Sequence, residues 1–168
     1  LKGVIHFPAR SGICCGPSLH ELMHQWGNFS LNTGALTAYT FDGNVSNAGD
    51  PLEQVPAYRH WGISSVDGQL GGFDLSTLVE QGDNWYSADP FGTFANGGNS
   101  IPYGNFELYL MGLIPPEEVE DLILFKGLRA TAGEFFDNHR WYAEEKVTVP
   151  IEDIMEKLGP RVPDHTAS

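Results

Sequence analysis

The 168-residue chain is long enough for one domain with a hydrophobic core and too short for two ordinary ones. Its 22 acidic and 9 basic side chains give a formal net charge of −13, which argues against nucleic acid or any other partner bound through a phosphate backbone. Apolar residues make up 41% of the chain, which argues against wholesale disorder, and no apolar run reaches the roughly 20 residues that a membrane span needs. We therefore expect a single domain over residues 1–168 with no membrane span.

The first fifteen residues predict two short strands, over residues 1–7 and 11–15. Because the chain opens on a strand without Met or a signal-peptide pattern, we expect the domain to lack its N-terminal part. Cys14 and Cys15 are adjacent and cannot staple a loop together in the usual way, so we predict two buried side chains in the second strand. A disulfide to upstream residues and a thiol near a metal are the alternatives.

A helix predicted over residues 17–26 carries the clearest chemical motif. Residues 20–24 read H-E-L-M-H, which is the H-E-x-x-H pattern. Because residues four apart share one helical face, His20 and His24 can bind the same Zn²⁺ ion. Glu21 then lies beside the metal, where it can accept a proton from a metal-activated water and pass it to the leaving group. The pattern predicts two zinc ligands and a general base that later acts as the acid.

Residues 29–103 predict mostly irregular structure rich in Gly, Asn, Asp, Ser and Pro. The range 31–121 holds 13 carboxylates and one cation, Arg59, so the charge excess is concentrated there. Long irregular segments inside a domain are usually functional or held by something other than regular secondary structure. Structural Ca²⁺ is one hypothesis, and ordinary solvated turns are the alternative. The candidate oxygen ligands are Asp42, Asn44, Asp67, Asp83, Asn84 and Asp89.

Regular structure is predicted again in the last third of the chain. Residues 106–111 predict a short helical stretch, and the Pro-Pro-Glu-Glu sequence predicts a second short helix over residues 115–122. A strand is predicted over residues 140–149 and a helix over residues 151–158, ended by Gly159. This mixture predicts an α+β fold.

Residues 20–27 resemble the start of the metzincin signature H-E-x-x-H-x-x-G-x-x-H, in which Gly turns the chain so that a third His can reach zinc. The match stops at Ser30, where the third His should stand, and a hydroxyl is a poor zinc ligand. The resemblance implies a zincin-like catalytic domain. Its active-site helix would pack on a small mixed sheet and be followed by a long, loop-rich C-terminal part.

The third zinc ligand must then come from elsewhere in the chain. Leishmanolysin-type metzincins insert a long segment before the third His, and His60 is similar in following Gly27 after 32 residues. Gluzincins instead take a Glu from a later helix, which makes Glu107 the alternative ligand. The further alternatives are Asp67, Asp74 and a residue absent from this sequence.

Metzincins also have a Met-containing turn beneath the zinc site. Met111, followed by Gly112, resembles such a turn, although the distance in sequence from His60 is long. Tyr103 or Tyr109 is a candidate donor to the oxyanion of the reaction.

These features together predict a zinc-dependent endopeptidase that cleaves proteins or peptides. The alternatives are an inactive zincin-like binding or structural domain, which the missing third-position His makes plausible, and a zinc hydrolase that acts on other bonds. We expect a secreted or extracytoplasmic location. The acidic segment suggests an acidic rim near the zinc cleft, which would favour basic peptides or hold Ca²⁺.

Overall fold

The computed structural model describes residues 10–27, 30–31, 45–46, 50–52, 54–55, 60–89, 101–131, 133–134, 138–161 and 166. In these residues α-helices are combined with antiparallel β-strands, which confirms the predicted α+β class. No helix in this part of the chain is long and apolar enough to cross a membrane. The strand predicted over residues 1–7 lies outside the described residues.

The helices and strands are short. The described helices are α1 (Ser11–Cys14), α2 (Ser18–Met23), α3 (Asn105–Met111) and α4 (Ile151–Leu158), with 3₁₀ turns at Leu75–Thr77 and Pro116–Glu118. The described strands are β1 (Ser30–Leu31), β2 (Val45–Ser46), β3 (Gln54–Val55), β4 (Val79–Gly82), β5 (Trp85–Ser87), β6 (Leu122–Lys126), β7 (Arg129–Ala130), β8 (Arg140–Tyr142) and β9 (Glu145–Val149).

The strands pair in three sheets, and every described pair is antiparallel. The largest sheet has the order β2-β7-β8-β5-β4, while β6 pairs with β9 and β1 with β3. The predicted mixed sheet is therefore wrong for the described strands.

A two-residue turn joins β4 to β5. Its residues, Asp83 and Asn84, both have positive φ, 50° and 62°, which this type of hairpin turn requires.

Strand β6 lies between two hydrophobic cores. Because successive side chains of a strand point to opposite faces, Leu122 and Leu124 contribute to one core and Phe125 to the other. The first core includes Met23 of α2 as well as residues of α3, β9 and α4, so the helix with the H-E-x-x-H pattern is anchored there. The second core lies on one face of the five-stranded sheet and includes Trp141, which is fully buried.

The predicted strand over residues 11–15 is wrong, because this segment forms helix α1. Backbone N–H groups of Ile13 and Cys14 donate to the Arg10 carbonyl at 3.0 and 3.1 Å. Cys14 and Cys15 are both exposed free thiols, so the prediction of two buried strand cysteines is also wrong. Ile13 is itself 62% exposed, and such a short apolar run did not gain the packing partners that would have favoured a strand.

In the C-terminal third, the last predicted helix is confirmed, whereas the helix and strand predicted before it differ from the structure. Helix α4 confirms the helix predicted over residues 151–158. The helix predicted over residues 115–122 is wrong, because only a 3₁₀ turn forms before Leu122 enters β6 and pairs with Val149. The strand predicted over residues 140–149 is divided at Ala143 and Glu144, so that β8 and β9 belong to different sheets.

Candidate metal centre

Helix α2 places two imidazoles side by side. Its α-helical part ends at Met23, and hydrogen-bonded turns continue to Gly27, whose N–H donates to the Met23 carbonyl at 2.8 Å. The helix predicted over residues 17–26 therefore forms, with a looser last turn. The four-residue spacing brings Nε2 of His20 and Nε2 of His24 to 3.2 Å from each other.

His60 joins this pair from a distant part of the sequence. Its ring centroid lies 5.1 Å from that of His20 and 5.3 Å from that of His24. One possible ligand atom from each of the three rings lies within 4.8 Å of the other two. His20 is buried and the other two are partly buried, so the three side chains could hold a metal ion. We call them the histidine cluster.

The donor geometry of the histidine cluster suits a metal. A tetrahedral ion bound to nitrogen at about 2.0–2.1 Å separates two ligand atoms by about 3.3 Å. The observed Nε2 separation of 3.2 Å is close to that value. Nδ1 of His20 lies 2.8 Å from the carbonyl oxygen of Gln69, which can only accept, so Nδ1 carries the proton and Nε2 keeps its lone pair for the metal.

The surroundings keep His60 in the form that a metal needs. Burial, followed by the charges of His20 and His24, lowers the pKa of His60 from 6.5 to about 4. The His60 ring is therefore neutral near pH 7, and metal-binding imidazole must be neutral.

This shift predicts that the metal-free protein loses stability as the pH falls from about 6.5 to about 4. In that window the unfolded chain takes up a proton at His60 that the folded chain does not. The free energy of unfolding therefore decreases as the pH is lowered. Urea unfolding with a chelator present, at several pH values, measures the effect. The His60→Gln variant should show a shallower dependence, and the same pH dependence in both proteins would contradict the assignment.

Gly27 allows the chain to pack tightly against the segment that carries His60. A Cβ atom on Gly27 would lie 2.6 Å from Cδ1 of Leu70 and 3.1 Å from Cζ2 of Trp61. A side chain at this position of the motif would therefore have to displace the Leu70 and Trp61 side chains.

We expect Gly27→Ala to lower the free energy of unfolding by about 1–3 kcal/mol, because the added methyl group overpacks this contact. Urea unfolding of the metal-free protein measures the loss. Leu70→Ala removes the closest atom, so the same substitution should cost less in that background. An equal cost in both backgrounds would show that the contact is not responsible.

Glu21 follows His20 on α2 and is exposed. Each residue turns an α-helix by about 100°, so the side chains of His20 and Glu21 differ in direction by about 100°. The side chains of Glu21 and His24, three residues apart, differ by about 60°. The carboxylate thus leaves the helix beside the histidine cluster and on the side of solvent.

The alternative ligands lie elsewhere. The carboxylate of Glu107 is fully buried and accepts hydrogen bonds from Trp61, Gln69 and Leu70, and it is not among the side chains that converge in the cluster. Burial raises the pKa of Glu107, and these hydrogen bonds offset part of that rise. Two further alternatives, Asp67 and Asp74, line a cavity of about 320 Å³.

Met111 and the two tyrosines have other described contacts. Met111 is the last residue of α3, packs against the first core, and its carbonyl accepts from Arg161. The Tyr103 hydroxyl donates to the Leu19 carbonyl at 2.9 Å, and the Tyr109 hydroxyl accepts from the Arg161 backbone N–H at 3.2 Å. The Met turn and the oxyanion donor stay predictions.

The candidate calcium ligands are dispersed where they are described. Asp83 and Asn84 form the β4–β5 turn, and Asp89 pairs with His139. Asp42 and Asn44 lie outside the described residues. In the described ranges the three histidines form the group found with metal-ligand geometry.

Sequence reasoning missed Gln69, which supplies the carbonyl that orients His20. A backbone carbonyl has no residue-type signature, so no sequence signal marked it. Compared with known proteins, the chain matches no family model, no curated protein and no solved structure.

Proposed function

We propose that the chain is a zinc-dependent endopeptidase. The observation that carries the proposal is the convergence of His20, His24 and His60, because three imidazole ligands leave one open position on a tetrahedral ion. Catalytic zinc sites have this arrangement of three protein ligands and one open position, whereas structural sites are closed.

The histidine cluster and Glu21 would have separate roles in hydrolysis. The histidine cluster would hold Zn²⁺, which when bound supplies Lewis-acid chemistry for activating water and polarising a carbonyl. Glu21 would accept the proton of the attacking water at its carboxylate and then donate that proton to the leaving amine nitrogen. Its exposed position on α2 is compatible with both transfers, since the group must reach substrate as well as water.

Metal analysis combined with a cleavage assay tests this function. The protein is stripped with a chelator, reloaded with Zn²⁺, and assayed with an unfolded protein substrate. We expect about one Zn²⁺ per chain and cleavage that depends on it. His139→Ala, which replaces a partly exposed His that pairs with Asp89 outside the histidine cluster, is the control and should alter neither.

The outcomes separate the rival functions. Absence of stoichiometric zinc would contradict the proposal and favour an inactive binding or structural domain. Bound zinc with hydrolysis of esters but not of peptide bonds would instead indicate a zinc hydrolase of another class.

A further inference from the structure

The carboxylate of Glu107, on the first turn of α3, is 0% exposed. Its Oε1 accepts hydrogen bonds from Nε1 of Trp61 and the N–H of Leu70, each at 2.8 Å. Its Oε2 accepts from the N–H of Gln69 at 2.8 Å and, more weakly, from that of Gly104 at 3.3 Å. Burying a charged carboxylate costs free energy unless its oxygens accept hydrogen bonds, and four donors meet that requirement here.

Three of these donors belong to the loop that serves the histidine cluster. Trp61 directly follows His60, and the carbonyl of Gln69 orients His20. The backbone N–H of Trp61 also donates to the Leu70 carbonyl at 2.9 Å, which joins the two ends of the loop over residues 61–70. The Glu107 carboxylate is thereby connected to Trp61, which follows His60, and to the segment whose carbonyl orients His20.

The loop is closely fitted around this carboxylate. A Cβ atom on Gly68 would lie 2.3 Å from Oε2 of Glu107. The backbone of the loop therefore approaches the carboxylate more closely than any other residue type would allow at this position.

We infer that Glu107 is a positioning residue for the histidine cluster, an inference that rests on the proposed function. By holding the Leu70 N–H, which lies in the same planar peptide group as the Gln69 carbonyl, it fixes that carbonyl against Nδ1 of His20, and this keeps Nε2 of His20 free for the metal. By holding the Trp61 indole, it fixes the start of the loop beside His60. Loss of a residue that orients metal ligands without touching the metal typically lowers metal affinity by about 10–100-fold.

The first test uses the metal-free protein at about pH 8, where imidazoles are neutral. Long-range ¹⁵N–¹H NMR should show His20 as the Nδ1–H tautomer in the wild type. In Glu107→Gln an NH₂ group replaces one acceptor oxygen and opposes the N–H donors of the loop. We expect this variant to lose the fixed tautomer of His20 and to bind Zn²⁺ about 10–100-fold more weakly in a chelator competition.

Two further variants separate positioning from general support of the fold. Ile154→Ala changes the same core but none of the groups that hydrogen-bond to Glu107, so it should lower stability and leave the His20 tautomer and zinc affinity unchanged. Trp61→Phe removes the indole donor, together with part of the buried ring, and leaves the backbone donors to Glu107, so it should weaken zinc binding and preserve the His20 tautomer. This variant decides the question if Glu107→Gln fails to fold.

A merely structural role would be shown if Glu107→Gln lost stability but kept both the His20 tautomer and the wild-type zinc affinity. For Trp61→Phe, unchanged zinc affinity would overturn the inference in the same way. If the wild type bound no zinc, the proposed function would fail, whereas the His20 signal of the metal-free protein would still decide whether Glu107 orients that ring.

Discussion

Glu21→Gln is expected to lower the rate of peptide hydrolysis by about 10²–10⁴-fold while one Zn²⁺ per chain remains bound. The amide cannot accept the proton of the attacking water, whereas the three imidazoles that hold the metal are unchanged. Initial rates on an unfolded protein substrate, together with metal analysis of the same sample, measure the two effects.

Glu156→Gln is the matched control for this substitution. Glu156 is an exposed carboxylate on α4, so its replacement makes the same chemical change away from the histidine cluster. Its rate should equal that of the wild type. Unchanged cleavage by Glu21→Gln would contradict the role assigned to Glu21.

His60→Ala is expected to weaken zinc binding by more than about 100-fold, because it removes a ligand and not an outer partner. Chelator competition measures the affinity. The informative comparison is with Glu107→Gln, for which we expect the smaller loss. Tight zinc binding retained in His60→Ala would refute His60 as the third ligand, and a larger loss in the Glu107 variant would favour the carboxylate.

Local signals in the sequence were sufficient for the helical half of the site. His20, Glu21 and His24 are fixed relative to one another by helical spacing alone, so the pattern predicted their proximity without knowledge of the fold. Helix α4 was predicted for the same reason, since its apolar spacing and Gly159 are contained in one short segment.

The rest of the site depends on contacts between distant segments. The contacts of Glu107 with Trp61 and Gln69 span 46 and 38 residues, and no periodicity encodes them. The gluzincin arrangement, in which a later helix supplies a Glu ligand, made Glu107 the alternative zinc ligand. Its oxygens instead accept hydrogen bonds from Trp61, Gln69 and Leu70, and the carboxylate is not part of the histidine cluster.

The errors in secondary structure have the same origin. Residues 11–15 have strand-like composition, but strand propensity depends on packing partners that a short exposed segment lacks. The β4–β5 hairpin was missed inside a segment rich in turn residues, because Asp83 and Asn84 were considered as possible calcium ligands or solvated turns and not as a hairpin turn.

Diffraction at the zinc absorption edge tests the central claim most directly. In crystals of the zinc-loaded protein we expect one anomalous peak about 2.0–2.1 Å from Nε2 of His20, Nε2 of His24 and a ring nitrogen of His60, with an oxygen in the fourth position. A peak coordinated by Glu107 in place of His60, or no peak at the histidine cluster, would contradict the account.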